Sequence, residues 1–170
     1  MTIVDRPHFN IGGKMIKEKD LNKKLSAKTP ENERKYRVGN TFDYKGKKLA
    51  NMLCYVDARY VQDKLDEVIG VGNWSSDFME IKGSLFCRIT ISFLRDDGEI
   101  GIVSKMDCGT ESNVEKQKGE VSDAFKRAGV QLGIARDLYN LPKYRAEMTE
   151  YNGKWYPPKN WRPEANKGEK

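Results

Sequence analysis

The sequence predicts an α+β domain in which a three-stranded antiparallel meander is flanked by helices. Three features predict it. Apolar residues recur at helical spacing over Asp57–Ile69 and again over Asn113–Arg136. Between them lie three short strand candidates, the second with clear alternation of inward and outward positions. Lys82-Gly83-Ser84 and Asp96-Asp97-Gly98 separate those segments and read as tight turns, the second suited to the positive φ of a hairpin. A run of strands followed by a long helix is the pattern of an α+β domain with an antiparallel sheet.

Taken in order, Met1–Lys14 carries no clear periodicity. Lys17–Ala27 places Leu21 and Leu25 at i, i+4 and predicts a short helix. Lys28–Lys48 contains Pro30, two glycines and many charges, and predicts an extended arm or linker. Residues 1–44 are therefore expected to be an N-terminal helix and arm, partly flexible, with a compact core over residues 45–142. In the first core helix Val56, Tyr60, Leu65 and Val68 or Ile69 form the apolar stripe. Asp57 is its expected N-cap, and Gly70, Gly72 and Asn73 end it. The strands are expected over Trp74–Ile81, Leu85–Leu94 and Ile100–Met106. In the second, Leu85, Cys87, Ile89, Ile91 and Phe93 share one face; in the third, Ile100, Ile102, Ser104 and Met106 do. The long helix aligns Val121, Ala124, Phe125, Ala128, Leu132 and Ala135. Gly119, Gly129 and Gly133 each cost it about 1 kcal/mol relative to Ala, which points to close approach by a neighbour or to a break. Residues 143–170 read as a polar C-terminal tail, with Pro157-Pro158 and a loose Glu164–Lys170 end.

Composition excludes several classes. No segment approaches the roughly 20 apolar residues of a membrane helix, and Met1–Met15 has no apolar signal region. Cys54, Cys87 and Cys108 are odd in number and lack CxxC spacing, so they read as reduced thiols of a cytosol-like compartment. The expected location is cytoplasmic, meaning the bacterial host cytoplasm for a phage-encoded chain. A lone histidine, His8, is too little for a His-based metal site or a conventional triad. The net charge of +6 is unevenly spread. Met1–Met52 has 13 basic and 6 acidic residues, Leu53–Pro142 has 11 and 15, and Lys143–Lys170 has 7 and 4. Basic flanks favour polyanions such as nucleic acid, although on charge alone they serve solubility equally well.

Nucleotide and hydrolase motifs are missing. Gly70-Val71-Gly72 follows a helix rather than a strand and has no third glycine in register, and neither a P-loop nor a Gly-x-Ser-x-Gly elbow is present. Asp96, Asp97 and Glu99, with Asp107 and Glu111, could hold Mg²⁺ for phosphodiester cleavage. Turn geometry at the hairpin tip, and acids at a strand end and a helix start, account for them better. Cys87 falls on the inward face of its strand and reads as buried structure.

One stretch is distinctive: Gly109-Thr110-Glu111-Ser112-Asn113-Val114-Glu115-Lys116-Gln117-Lys118-Gly119-Glu120-Val121-Ser122-Asp123-Ala124-Phe125-Lys126-Arg127-Ala128, followed by Leu132-Gly133-Ile134-Ala135-Arg136-Asp137-Leu138-Tyr139. It resembles the Rad52/Rad22 single-strand annealing superfamily and, within it, the short Sak-type recombination proteins of phages. Tyr55-Val56-Asp57-Ala58-Arg59-Tyr60-Val61-Gln62-Asp63-Lys64-Leu65, with Gly72-Asn73-Trp74, looks like that family's first helix and its exit. The likeness runs from about Lys45 to Tyr139. It implies a β-β-β-α core that assembles into an oligomeric ring, single-stranded DNA held in an outer basic groove with bases exposed, and no ATP, metal or other cofactor. Lys126 and Arg127 match the pair that lines the groove in the family. Read without the resemblance, the same residues are a solvated helix face with an Asp123–Arg127 pair at i, i+4.

Further candidates for DNA contact are Lys116 and Lys118 on the same helix, and Lys45, Lys47 and Lys48 before Tyr55. Lys82 on the first hairpin joins Arg88 and Lys105, which the strand pattern turns away from the apolar side. Tyr44, Tyr55, Tyr60 and Trp74 have rings able to stack bases, with Tyr60 and Trp74 expected in the core. The expected function is ATP-independent binding and annealing of single-stranded DNA in homologous recombination and repair, without catalysis, by a homo-oligomer. A phage or host exonuclease or single-strand-binding protein is a further candidate partner, and no membrane is. The alternatives are an end-protecting binding module without annealing and a Mg²⁺-dependent nuclease.

Overall fold

The computed structural model describes residues 15–109 and 116–163, excepting the side chains of residues 116–118. The chain forms two compact units. Residues up to Thr29 and Val56–Asp137 make the first; Pro30–Tyr55 and residues from Leu138 onward make the second.

In the first unit, helices α1 (Glu18–Leu25) and α2 (Ala58–Val68) precede strands β3 (Trp74–Ile81), β4 (Ser84–Leu94) and β5 (Ile100–Cys108), and α3 (Lys116–Leu132) follows. The strands form an antiparallel meander in the order β3-β4-β5. Helix α3 packs on β4 and β5, α2 packs on α3, and α1 on α2. The expected α+β core with an antiparallel meander is therefore present.

Alternation along β4 explains the layering. Cys87, Ile89 and Ile91 are fully buried, as are Ala124 and Ala128 of α3 and Val61 and Leu65 of α2. Burial pushes the Cys87 thiol up to about 11, with Asp77 adding a smaller upward push. Gly129 carries the helix contact: a Cβ there would lie 2.6 Å from Val61 Cγ1, so only glycine admits this approach of α2. The costly glycine in α3 is thus a packing device. Gly70, with φ +91, ends the α2 segment, and Gly133, with φ +109, ends α3. Asp57 occupies the N-cap position of α2 but makes no side-chain capping bond.

The β5 stripe faces the other way from the core. Ile89 pairs with Lys105 and Ile91 with Val103, so Lys105 and Val103 share the face covered by α3. Ile100, Ile102, Ser104 and Met106 lie on the opposite face, where Ile102 is 55% exposed and Ile100, Met106 and Ile81 are also exposed. Val121, expected in the apolar stripe of α3, is exposed as well.

The N-terminal helix is anchored within this unit. Leu25 is buried, and the Leu94 N–H donates to the Ile16 carbonyl at 2.9 Å. The Thr29 N–H and hydroxyl both donate to the Asp137 carboxylate, at 3.0 and 2.6 Å.

The second unit joins parts of the expected arm and tail with both ends of the expected core. β1 (Lys35–Tyr44), β2 (Lys47–Tyr55) and β6 (Tyr144–Glu147) form an antiparallel sheet in the order β1-β2-β6. Ala50, Met52, Ala146 and Met148 form its small core, with Tyr36, Val38, Tyr144 and Trp161 packed around them. Tyr36 meets Tyr144 and Trp161 edge-on, at centroid distances of 5.9 and 5.4 Å. Burial, with Cys54 beside it, pushes the Tyr36 hydroxyl up to about 12. A separate hairpin, β7 (Thr149–Tyr151) and β8 (Lys154–Tyr156), follows. Lys45-Gly46, Lys82-Gly83 and Asn152-Gly153 all hold positive φ at both residues, the geometry of type I′ hairpin turns. Among the described residues no helix is long and apolar enough to cross a membrane.

Candidate nucleic-acid interface

The Lys126-Arg127 pair sits on α3, and its geometry is set by acids. Arg127 donates from Nε and Nη2 to Asp107 Oδ1, at 3.2 and 3.1 Å. Gln131, one turn along the helix, donates to Asp107 Oδ2 at 3.0 Å. The Cys108 N–H closes the set at 2.8 Å. Partial burial by itself would raise the Asp107 pKa. The hydrogen bonds from Gln131, Cys108 and Arg127, together with the Arg127 charge, outweigh it and hold the carboxyl below its ordinary value. Asp107 is therefore an anion at neutral pH, and it orients the Arg127 guanidinium. Asp123, which the sequence places at i, i+4 from Arg127, is also close to the other member of the basic pair. Asp123 lies 4.0 Å from Lys126, at i, i+3. Asp107 lies at the end of β5, as expected, and its partners lie in the second half of α3.

This clamp escaped the sequence reading. Its only local signal is that Arg127 and Gln131 stand at i, i+4, on one helix face. Nothing local says that the end of β5 meets that face.

Other candidates on the first unit are scattered over both faces of the sheet. Arg88 lies on the outer face and pairs with Asp77 at 3.3 Å. Lys105 lies on the α3 face, so the two do not form the single positive edge the strand pattern predicts. Lys82 is exposed in the β3–β4 turn. Lys116 and Lys118 start α3, and their side chains lie outside the described residues, as does Glu111. Trp74 is partly buried, donates to Asp66 at 2.7 Å and packs near Phe125.

On the second unit, Lys45, Lys47 and Lys48 cluster at the β1–β2 hairpin. Lys45 stands over the exposed Tyr44 ring at 5.3 Å. Lys47 pairs with Glu147 at 2.7 Å, and Lys48 with Asp43 at 3.0 Å. The Lys47–Glu147 side chains are both more than half exposed, and the Asp43 carboxylate is largely so. Water screens such pairs, so a phosphate can compete for their cations.

The distribution of charge between the units is sharper than these local pairs suggest. The stretches of the second unit carry 13 Lys and Arg against 7 Asp and Glu; those of the first carry 18 against 18. All of the net +6 therefore belongs to the second unit. Two of the acidic residues considered for a metal, Asp97 and Asp107, have other partners. Asp97 pairs with Arg95 and accepts the Glu99 N–H, and Asp107 holds Arg127. Among the described residues no three His, Cys, Asp or Glu gather as metal ligands.

Comparison with known proteins adds to this geometry. The family described as Rad52/22 family double-strand break repair protein matches residues 17–156. A protein named single-stranded DNA-binding protein DdrA from Deinococcus deserti is 36% identical over 133 residues, which are 75% of this chain and 61% of that protein. Its namesake from Deinococcus radiodurans is 36% identical over 107 residues, 59% of this chain and 47% of that protein. The chain thus spans about half to three-fifths of the length of these relatives.

Proposed function

The chain belongs to the Rad52/22 double-strand break repair family, and from that premise we propose that it binds single-stranded DNA and anneals complementary strands without ATP, as a homo-oligomer. The observation that carries the reading is the confinement of the whole net charge to one unit, in a chain whose relatives are named for binding single-stranded DNA. Lysines without fixed base contacts grip phosphates of any sequence, which annealing requires. Each protomer offers few cations, so repetition around an oligomer supplies affinity through avidity. The exposed Ile81, Ile100, Ile102 and Met106 on the outer sheet face favour an assembly that covers them. Base pairing itself supplies the free energy of annealing. Lys126 and Arg127 on the first unit serve as phosphate contacts, Arg127 already oriented by Asp107, and so do Lys45, Lys47 and Lys48 on the second.

Fluorescence-monitored annealing of complementary oligonucleotides at several salt concentrations, with and without Mg²⁺, tests this. Wild type accelerates duplex formation with no nucleotide present. Its log affinity for a single strand falls with log salt by about 0.7 per phosphate neutralised. The Lys126→Ala, Arg127→Lys variant, which preserves a cation near Asp107, binds more weakly while remaining folded. Binding without acceleration of annealing points to an end-protecting module. Loss of substrate on adding Mg²⁺ points to a nuclease. No retention on single strands in dilute buffer ends the proposal.

A further inference from the structure

The β7–β8 hairpin carries side chains that the fold does not use. Its register pairs Thr149 with Tyr156, Glu150 with Trp155 and Tyr151 with Lys154. Because directly paired residues share a face and alternate residues repeat it, one face presents Thr149, Tyr151, Lys154 and Tyr156. Glu150 and Trp155 take the other. The first face therefore holds two aromatic rings, one cation and no carboxylate. Tyr151 is 69% exposed and Tyr156 47% exposed. Tyr156 is the diagonal neighbour of Tyr151 across the ladder, which sets the two about 7–8 Å apart, roughly twice the rise between stacked bases.

These rings keep about half or more of their surface in water, on strands of only three residues. The unit bearing them carries the whole net positive charge. A ligand with flat apolar faces on an anionic backbone meets both features at once.

Resting on the single-stranded-DNA reading above, we propose that this face of the hairpin is a base-stacking anchor. Tyr151 and Tyr156 each receive an unpaired nucleobase, and Lys154 meets the adjoining phosphate. Such a contact tolerates any sequence, since every base has a π-face. It also differs in kind from the phosphate contacts proposed for annealing, because a base on a tyrosine is withheld from pairing. The hairpin thus holds a strand in place while the remaining bases stay free.

The test compares wild type, Tyr151→Ala/Tyr156→Ala and Tyr151→Phe/Tyr156→Phe by fluorescence anisotropy. The probes are a labelled oligothymidylate and an abasic oligonucleotide of equal length. Circular dichroism and sedimentation monitor folding and oligomeric state. The alanine variant is expected to lose affinity for oligothymidylate, by about five- to a hundredfold for each ring removed. The phenylalanine variant keeps wild-type affinity, and the alanine loss disappears on the abasic strand. If wild type binds oligothymidylate and the alanine variant binds it equally well, the anchor is wrong and the single-stranded-DNA reading stands. An equal loss on the abasic strand, or a changed oligomeric state with unchanged affinity per protomer, also overturns the anchor. If wild type binds neither probe in dilute buffer, the underlying reading fails instead.

Discussion

The first unit buries large aliphatic side chains and is electrically neutral; the second buries little and carries the full +6. Ile89, Ile91, Leu65 and Ile134 are wholly inside the first, whereas two alanines and two methionines make the core of the second. Aromatic edges around Tyr36 supply part of what that small core lacks. Concentrated like charge repels itself and works against a compact state. A unit that concentrates positive charge therefore gives up stability that a neutral unit keeps.

The comparison can be broken most directly in the core. Ile89→Ala should cost about 2–5 kcal/mol, read from urea denaturation. Met52→Ala, in the second unit, should fall at or below the low end of that range. Equal losses would mean that the two units are equally well packed.

Removing Asp107 should come next, at about 1.5–3 kcal/mol for Asp107→Ala, because Arg127 and Gln131 lose a charged acceptor. The sign with pH is fixed by its depressed pKa. Its contribution is complete above the ordinary carboxylate value near 4 and is lost as pH falls through the lower folded value. Stability measured against pH should therefore decline more gently at the acid end in Asp107→Asn than in wild type.

Gly129→Ala should be smaller. A helix-propensity gain of about 1 kcal/mol is opposed by the Val61 contact, for a net loss of about 1–2 kcal/mol. Combined with Val61→Ala, the loss should be less than the sum of the single variants. Simple additivity would show that the close approach of α2 and α3 is not what requires glycine.

Lys47→Ala should change stability least, within about 0.5 kcal/mol, since its ion pair is exposed. Its effect belongs in the salt dependence of DNA binding, which should flatten. A larger loss of stability than of salt slope would recast the basic hairpin as structure.

Much of the first unit is legible locally. The meander follows from alternation in Leu85–Leu94 and from two glycine turns, and α2 and α3 follow from their apolar spacing. The second unit is harder to read because β2 finds β6 96 residues away in the Ala50–Ala146 pair. Even so, Asn152-Gly153 is a strong hairpin signal, and β1 alternates Lys35, Arg37 with Tyr36, Val38 before the irregularity at Gly39-Asn40. Many charges and a proline conceal that alternation in a reading by composition.

By itself the sequence determined which segments become helix or strand in the first unit, the family, and the sum and spread of charge, because these depend on neighbouring residues or on simple counting. Tertiary structure alone decided that arm and tail join the start of the expected core in one basic sheet, that Arg127 answers to Asp107, and that the Ile100–Met106 stripe faces away from α3. Alternation reveals that a strand has two faces. Register against its neighbour decides which of them is covered, and a shift of one residue would exchange them.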